Sequence, residues 1–344
     1  MTHRTQPAST LAAIPDGPEK LYDLRIKHSR IAEVMNELDT LIYPESQDSI
    51  LLVCGPTGVG KSTLARHMVD TALQDAASQM EQDAGVIPAV YVEAPSSGER
   101  KFSWRLFYQR LLNQLEGELE MPKTEFGIDT VTGRMVKPRG GAANTLGALR
   151  TAVERALRAR KTRFLVIDEA AHIIRQTSRN DLEIQLDTLK SLANECGTQM
   201  VLVGSYDLYQ LVSLSGQLAR RTHVLHFERY RQDTETDVRA FKMCVQKFQD
   251  KLPDLWGGKL MQHAEALHEN TLGCIGTLSA VLTRAAKLAH KDGSWSVDAL
   301  RRALLTEAQR HQILEEVLEG EAAINPSLTR TMTRPRSTAK RSVA

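Results

Sequence analysis

The run Gly55-Pro-Thr-Gly-Val-Gly60-Lys61-Ser62 fits the pattern G-x-x-x-x-G-K-[ST] at every fixed position, and no other stretch of the chain constrains its fold as tightly. Ahead of it lies Ser49-Ile-Leu-Leu-Val-Cys54, a short apolar run that reads as a strand buried on both faces. Behind it a helical pattern runs from Lys61 to Ala77. A strand, a glycine-rich turn and a helix in that order make a cradle for phosphate groups. The glycines let the backbone curl until successive N–H groups point at one set of oxygens, and the open N-terminus of the helix adds its favourable dipole. The nucleotide-binding set is therefore Gly55, Pro56, Thr57, Gly58, Val59, Gly60, Lys61, Ser62 and Thr63. Lys61 would reach the β and γ phosphates of ATP, and the Ser62 hydroxyl would complete the coordination shell of Mg²⁺.

Phosphate binding alone does not imply hydrolysis, so the acids matter. Phe164-Leu-Val-Ile-Asp168-Glu169 places two carboxylates at the end of an apolar strand, a Walker B pattern. From a strand expected beside the one leading into the glycine loop, Asp168 would hold Mg²⁺ through its water shell and Glu169 would polarise the attacking water as general base. The same acid pair also suits the start of the next helix, and the two roles are compatible. The strand Met200-Val-Leu-Val-Gly204 ends at Ser205, whose hydroxyl either orients the lytic water or belongs to a Gly-Ser turn capping the next segment. Leu218-Ala-Arg220-Arg221-Thr-His223 sets an arginine pair just ahead of the last strand. It reads as an arginine finger completing a neighbouring subunit's site or as a solvated basic face.

Further strand candidates at Ala89 to Glu93, Arg163 to Asp168, Gln199 to Gly204 and His223 to Phe227 alternate with helical patterns at Trp104 to Leu119, Leu146 to Ala159 and Asp181 to Cys196. Alternation of this kind predicts a parallel sheet covered by helices on both faces. A helix is expected from Leu21 to Ile42, and after Phe227 only helical periods follow, at Thr234 to Phe248, Lys259 to Glu269, Thr277 to His290 and Val297 to Leu318. The expected layout is a flexible polar arm over 1–20, an α/β domain over 21–229 with an insert around 95–145, an all-helical domain over 230–319, and a disordered basic tail over 320–344.

The 344 residues carry 44 basic and 42 acidic side chains, a formal net charge of +2, which excludes a uniformly basic coat as much as an acidic solvating chain. Any nucleic-acid contact must then be local. Five of the positive charges (Arg330, Arg334, Arg336, Lys340, Arg341) crowd the last twenty residues without an acid among them. They suit a nonspecific DNA arm or a docking peptide for a partner protein. The four cysteines, Cys54, Cys196, Cys244 and Cys274, lack metal-knuckle spacing, and Cys54 and Cys244 sit in apolar contexts as structural residues. No signal-like run opens the chain and no stretch reaches about 18 apolar residues. A cytoplasmic protein with no membrane contact is expected.

A glycine phosphate loop, an acid pair, a polar strand end, an arginine pair and an appended helical domain, in that order, resemble an AAA+ P-loop ATPase over roughly Leu21 to Leu318. Within that superfamily, Asp168-Glu-Ala-Ala-His172, Val203-Gly-Ser-Tyr-Asp207 and Gln217-Leu-Ala-Arg-Arg221 are similar to the TnsC/TniB group of transposition regulators. That resemblance implies an ATP- and Mg²⁺-dependent DNA-binding protein that forms a homo-oligomer, a ring or helical filament, on duplex DNA. It would pass target-site choice from a target-selection protein to a transposase. Arg220 or Arg221 would then act across the subunit interface, and Ser205 stands at the sensor 1 position. One departure concerns the lid: the stretch Gly273-Cys-Ile-Gly276-Thr277 lacks a sensor 2 arginine, and Arg284 lies two turns further along, which favours slow ATP hydrolysis over a fast motor. Other functions that suit the same motifs are a nucleotide-switched protein-binding adaptor and a loader for a replicative helicase. His172 reads as a helix-face residue near the site.

Basic material between the second and third strands offers DNA contacts at Arg100, Lys101 and Arg105, beside Trp104, and at Lys137 and Arg139 in a Gly-containing loop. A solvated loop and a helix with Trp104 packed inward are the competing expectation. Repeated along an assembly, weak contacts of this kind would sum, bind without sequence preference and weaken with salt.

Overall fold

A computed structural model of the chain describes residues 17–22, 24–42, 50–96, 98, 101–115, 127–128, 135–136, 145–175, 179–211 and 222–325. A five-stranded parallel sheet forms from β1 (Ile50–Cys54), β2 (Ala89–Glu93), β5 (Phe164–Asp168), β6 (Gln199–Gly204) and β7 (Thr222–His226), in the order β2-β5-β6-β1-β7. Gly127–Ile128 (β3) and Met135–Val136 (β4) pair antiparallel in a separate ribbon. The central strands β1 and β5 are buried at all five positions, while the outer strands β2 and β7 are partly open. This is why the central strands read as unbroken apolar runs.

Alternation along the strands divides their side chains between two faces. Ile50, Leu52, Leu165, Ile167, Met200 and Leu202 join one core with Phe107, Leu111, Leu149, Val153, Leu189 and Leu192. These last come from α4 (Trp104–Gln114), α5 (Leu146–Ala159) and α7 (Arg179–Cys196). On the opposite face α2 (Lys61–Asp75) packs across β2, β5 and β6, with α1 (Ser29–Leu41) against it. Short helices α3 (Ala77–Gln82) and α6 (Ala171–Arg175) complete the connections. The sheet thus has the AAA+ P-loop architecture expected from the motif order.

The expected helix over Leu21 to Ile42 begins only at Ser29, after a 3-10 turn at Pro18–Leu21 and irregular backbone over residues 24–28. The apolar residues of that window serve two cores. Leu21 and Ile26 pack with Phe241, Phe248 and Leu282, whereas α1 presents Ile31, Val34 and Leu38 to the α/β portion.

By contacts the chain divides into two units, Met1–His28 with Arg229–Gln312, and Ser29–Glu228 with Ile313–Ala344. The first is helical among its described residues: α8 (Glu235–Lys251), α9 (Pro253–Trp256), α10 (Ala264–Asn270), α11 (Ile275–Lys291) and α12 (Val297–Ala303). They enclose Trp256, whose indole N–H donates to the Phe248 carbonyl at 3.0 Å. The helix expected over Val297 to Leu318 is two helices, α12 and α13 (Glu307–Ile324). Asn270 holds the break between them, donating to the Leu305 carbonyl at 3.0 Å and accepting from the Leu305 N–H at 2.9 Å. Thr306 and Gln309 then cap α13 reciprocally, the Thr306 hydroxyl accepting from the Gln309 N–H at 3.3 Å and Gln309 Oε1 from the Thr306 N–H at 3.0 Å. The helix continues through Gly320 and Glu321, both buried, to Ile324.

None of the four cysteines forms a disulfide, and burial pushes the thiols of Cys54 and Cys244 up to about 12 and about 11. Among the described residues no helix is long and apolar enough to cross a membrane. Residues 1–16 of the expected arm and 326–344 of the basic tail lie outside the described residues.

Candidate functional site

The glycine loop follows β1 and closes against the chain leaving β7. Phe227 donates its N–H to the Cys54 carbonyl at 2.7 Å, and a Cβ on Gly55 would lie 2.4 Å from the Phe227 carbonyl oxygen. Only glycine fits that position. Gly58 and Gly60 take φ of 79° and 114°, left-handed conformations that turn the backbone into α2. Pro56 and Val59 are buried beneath the loop and fix it to the core, while Thr57 is exposed at its tip. The first intrahelical bond of α2 runs from the Leu64 N–H to the Gly60 carbonyl at 3.0 Å, and within the loop the Val59 N–H donates to the Pro56 carbonyl at 3.3 Å. Lys61 folds its ammonium across the loop, donating to the carbonyls of Gly55 at 2.9 Å and Pro56 at 2.8 Å. Ser62 and Thr63 are half-buried in the first turn. Thr57 donates from its hydroxyl to Glu316 Oε1 of α13 at 3.0 Å, a contact no sequence pattern announced.

Asp168 ends β5 with 2% of its surface exposed. One carboxylate oxygen accepts from the Tyr91 hydroxyl at 2.9 Å and the other from the Glu169 N–H at 2.9 Å. Glu169 is exposed and has φ of 51°, a left-handed backbone that a residue with a Cβ adopts at a cost of roughly 1–2 kcal/mol. Strain of this kind is retained where the surroundings enforce it, commonly at functional positions. The expectation that β5 lies beside β1 needs correction: β6 is interposed, pairing β1 on one side and β5 on the other. Five apolar parallel strands carry no mark of their order, so sequence could not give it.

The residues present fit a magnesium nucleotide. Ser62 and Asp168 offer hard oxygen donors, and Gly58 and Gly60 contribute no side chain to the cradle. Among the described residues there is no cluster of three or more His, Cys, Asp or Glu able to hold a metal alone. Mg²⁺ suits such a setting, because it keeps several waters and is held by one or two protein oxygens together with phosphates.

Ser205, 8% exposed at the end of β6, has its hydroxyl within a small network. It donates to Asp207 Oδ2 at 3.2 Å and accepts from Arg175 at 3.1 Å, while Arg175 Nε pairs with Asp207 at 2.6 Å. Arg175, at the end of α6, was not marked by any motif. His172 places Nδ1 3.1 Å from the Ala94 carbonyl. The lid stretch is structural in its geometry: Gly273 has φ of 75°, and a Cβ there would sit 1.8 Å from the Tyr230 carbonyl oxygen. Arg284 donates to the Ala303 carbonyl at 3.2 Å.

Of the candidate DNA contacts, Lys101 and Arg105 are exposed at the start of α4. Trp104 packs inward, edge-on to Phe102 and Phe107 at ring distances of 5.1 and 5.5 Å. Arg100, Lys137 and Arg139 lie outside the described residues, as do Arg220 and Arg221.

Next to the site, Tyr206 and His226 share a hydrogen bond of 3.0 Å, and Gly320 lies so close that a Cβ would fall 2.0 Å from the Tyr206 ring. Glu228, Glu321 and Arg30 are the charged neighbours of His226. Burial pushes the imidazole, 11% exposed, down to about 4. Unfolded, it would titrate near 6.5, so the unfolded chain takes up this proton first as pH falls. His226 therefore contributes full stability above about 6.5 and loses it toward 4, about 3 kcal/mol in all. Urea unfolding between pH 7 and 4 should show the native chain losing about that much more than His226→Gln; parallel curves would refute it.

Residues 44–212 match the family described as an AAA domain. Among solved structures, the Aeropyrum pernix ORC2 protein in ADPNP-ADP complexes is similar at 17% identity, covering 94% of this chain and 74% of that one with a TM-score of 0.52. The Walker-type ATPase paby2304 of Pyrococcus abyssi is 17% identical, with coverages of 89% and 81% and a TM-score of 0.48. The Aeropyrum pernix ORC1 protein in complex with DNA is 15% identical, with coverages of 92% and 72% and a TM-score of 0.49. No curated protein matches the chain.

Proposed function

We propose that this chain, an AAA+ fold with its AAA domain at residues 44–212, is an ATP-dependent DNA-binding regulator of transposition. It oligomerises on duplex DNA and links target-site selection to a transposase. The observation that carries the nucleotide half of this reading is the placing of the glycine loop and the Asp168-Glu169 pair at the carboxyl ends of β1 and β5 in one parallel sheet. Ligands of open α/β sheets bind at that edge.

In this reading backbone N–H groups of the glycine loop and of the first turn of α2, with the Lys61 ammonium, hold the phosphates of ATP. Ser62 and Asp168 would hold Mg²⁺, which would supply neutralisation of phosphate charge. Glu169 accepts the proton of the attacking water as its oxygen bonds to the γ-phosphorus and the bond from that phosphorus to the ADP oxygen breaks, releasing ADP and phosphate. Ser205 lies one strand nearer to β1 and senses the γ phosphate through its Arg175-Asp207 network. Arg220 or Arg221 of an adjoining subunit completes the site, so that ATP orders subunits on DNA and hydrolysis releases them.

The DNA half rests on the local basic insert in an otherwise neutral chain and on the motif resemblance to TnsC/TniB regulators. Retardation of duplex DNA at low salt tests it, with ATP, a nonhydrolysable analogue or no nucleotide. Retardation should require nucleotide and fall steeply as salt rises. Failure under every condition would overturn the DNA reading and leave a protein-binding adaptor; capture of a replicative helicase in place of a transposase would select a helicase loader.

A further inference from the structure

We propose that Tyr91 is the positioning residue that orients the Asp168 carboxylate for magnesium, an inference that rests on the nucleotide reading above. Tyr91 stands in β2 opposite Val166, and Glu93 opposite Asp168, so the phenol is two residues short of the acid on the neighbouring strand. Residues two apart in a strand share a face, and a phenol is long enough to cover that diagonal. Its hydroxyl donates to Asp168 Oδ2 at 2.9 Å. The other carboxylate oxygen is taken by the Glu169 N–H at 2.9 Å, so both ends of the carboxylate are held and its plane is fixed.

A third group joins from the other side. Arg66 of α2, five residues beyond Lys61, lies with its guanidinium carbon over the Tyr91 ring, 5.3 Å from the ring centre. The phenol therefore ties the helix that starts at the phosphate loop to the strand that ends at Asp168. Both elements bear on one metal in the nucleotide reading, and their spacing is set in part by this side chain.

The composition of β2 supports a reason beyond packing. Tyr91 is half-buried on the sheet face opposite Val90 and Val92, and a hydroxyl drawn out of water is costly there unless it finds a partner. Phenylalanine would fill the same space without that demand.

The test is isothermal titration of the full chain with ADP, once in EDTA and once in Mg²⁺. Wild type should bind ADP more tightly with Mg²⁺. In Tyr91→Phe that magnesium-dependent gain should fall about tenfold, the loss expected for one hydrogen bond to a charged group, with affinity in EDTA unchanged. Tyr91→His, which keeps a ring and an N–H donor, should recover part of the gain. An unchanged gain in Tyr91→Phe, or an equal loss in EDTA and Mg²⁺, would overturn the inference and leave Tyr91 as packing. Absence of ADP binding by wild type would instead overturn the nucleotide reading itself, and is seen before any variant is measured.

Discussion

Lys61→Ala is expected to abolish nucleotide-dependent retention on duplex DNA and to weaken ATP binding by roughly ten- to a hundredfold. The ammonium sits at the loop on a helix N-terminus, already bonded to the Gly55 and Pro56 carbonyls, and needs only to turn from them to meet phosphate oxygens. Its replacement removes charge-assisted bonds to a dianionic group, each worth about 1.5–3 kcal/mol. The fold should survive, since alanine is a strong helix former at the start of α2. Titration calorimetry and negative-stain imaging on DNA check the two halves. Wild-type affinity and nucleotide-dependent particles in the variant would remove Lys61 from the site.

Glu169→Gln should do the opposite: nucleotide binding and assembly on DNA persist while ATP turnover falls by about 10²–10⁴, the usual contribution of a positioned general base. Glutamine keeps the shape of the side chain and the backbone N–H that bonds Asp168, so only proton acceptance is lost. The two variants therefore separate the loading step from the release step. Assemblies of Glu169→Gln should outlive the wild-type ones in ATP but not in a nonhydrolysable analogue, where neither protein turns over. Steady-state phosphate release gives the direct measurement, and a turnover within threefold of wild type would assign the base elsewhere.

What sequence disclosed of this fold, and what it hid, follows from the range of the interactions involved. The strands β1, β5 and β6 are legible because burial on both faces leaves continuous apolar runs, and the glycine loop is legible because its backbone geometry admits few residues. Strand order was not legible, since pairing partners leave no local trace. The mistaken first helix has a subtler cause: Leu21 and Ile26 repeat at spacings that continue into Ile31, Val34 and Leu38, yet the two groups belong to different cores. The break before α13 was readable in principle, because Thr306-Glu-Ala-Gln309 is a helix-start signature lying inside a longer helical period. Tyr91 carried a faint signal too, a hydroxyl in the middle of an apolar strand, but its partner could be named only once β2 was set in register with β5.

Helix α13 has a consequence for how this protein can be dissected. Its chain starts among the residues grouped with the helical unit and ends among those grouped with the α/β unit, where Val317, Gly320 and Glu321 are buried. The helical unit likewise draws on residues before Ser29 as well as after Glu228. No single cleavage of the backbone yields either unit whole. A fragment ending near residue 229 would expose the Tyr206 ring that Gly320 covers and strip Thr57 of its Glu316 partner, so loss of nucleotide binding in such a fragment would report a damaged unit as readily as a missing one. The chain is threaded as a single piece of cloth, and its activities are best assigned by point substitution.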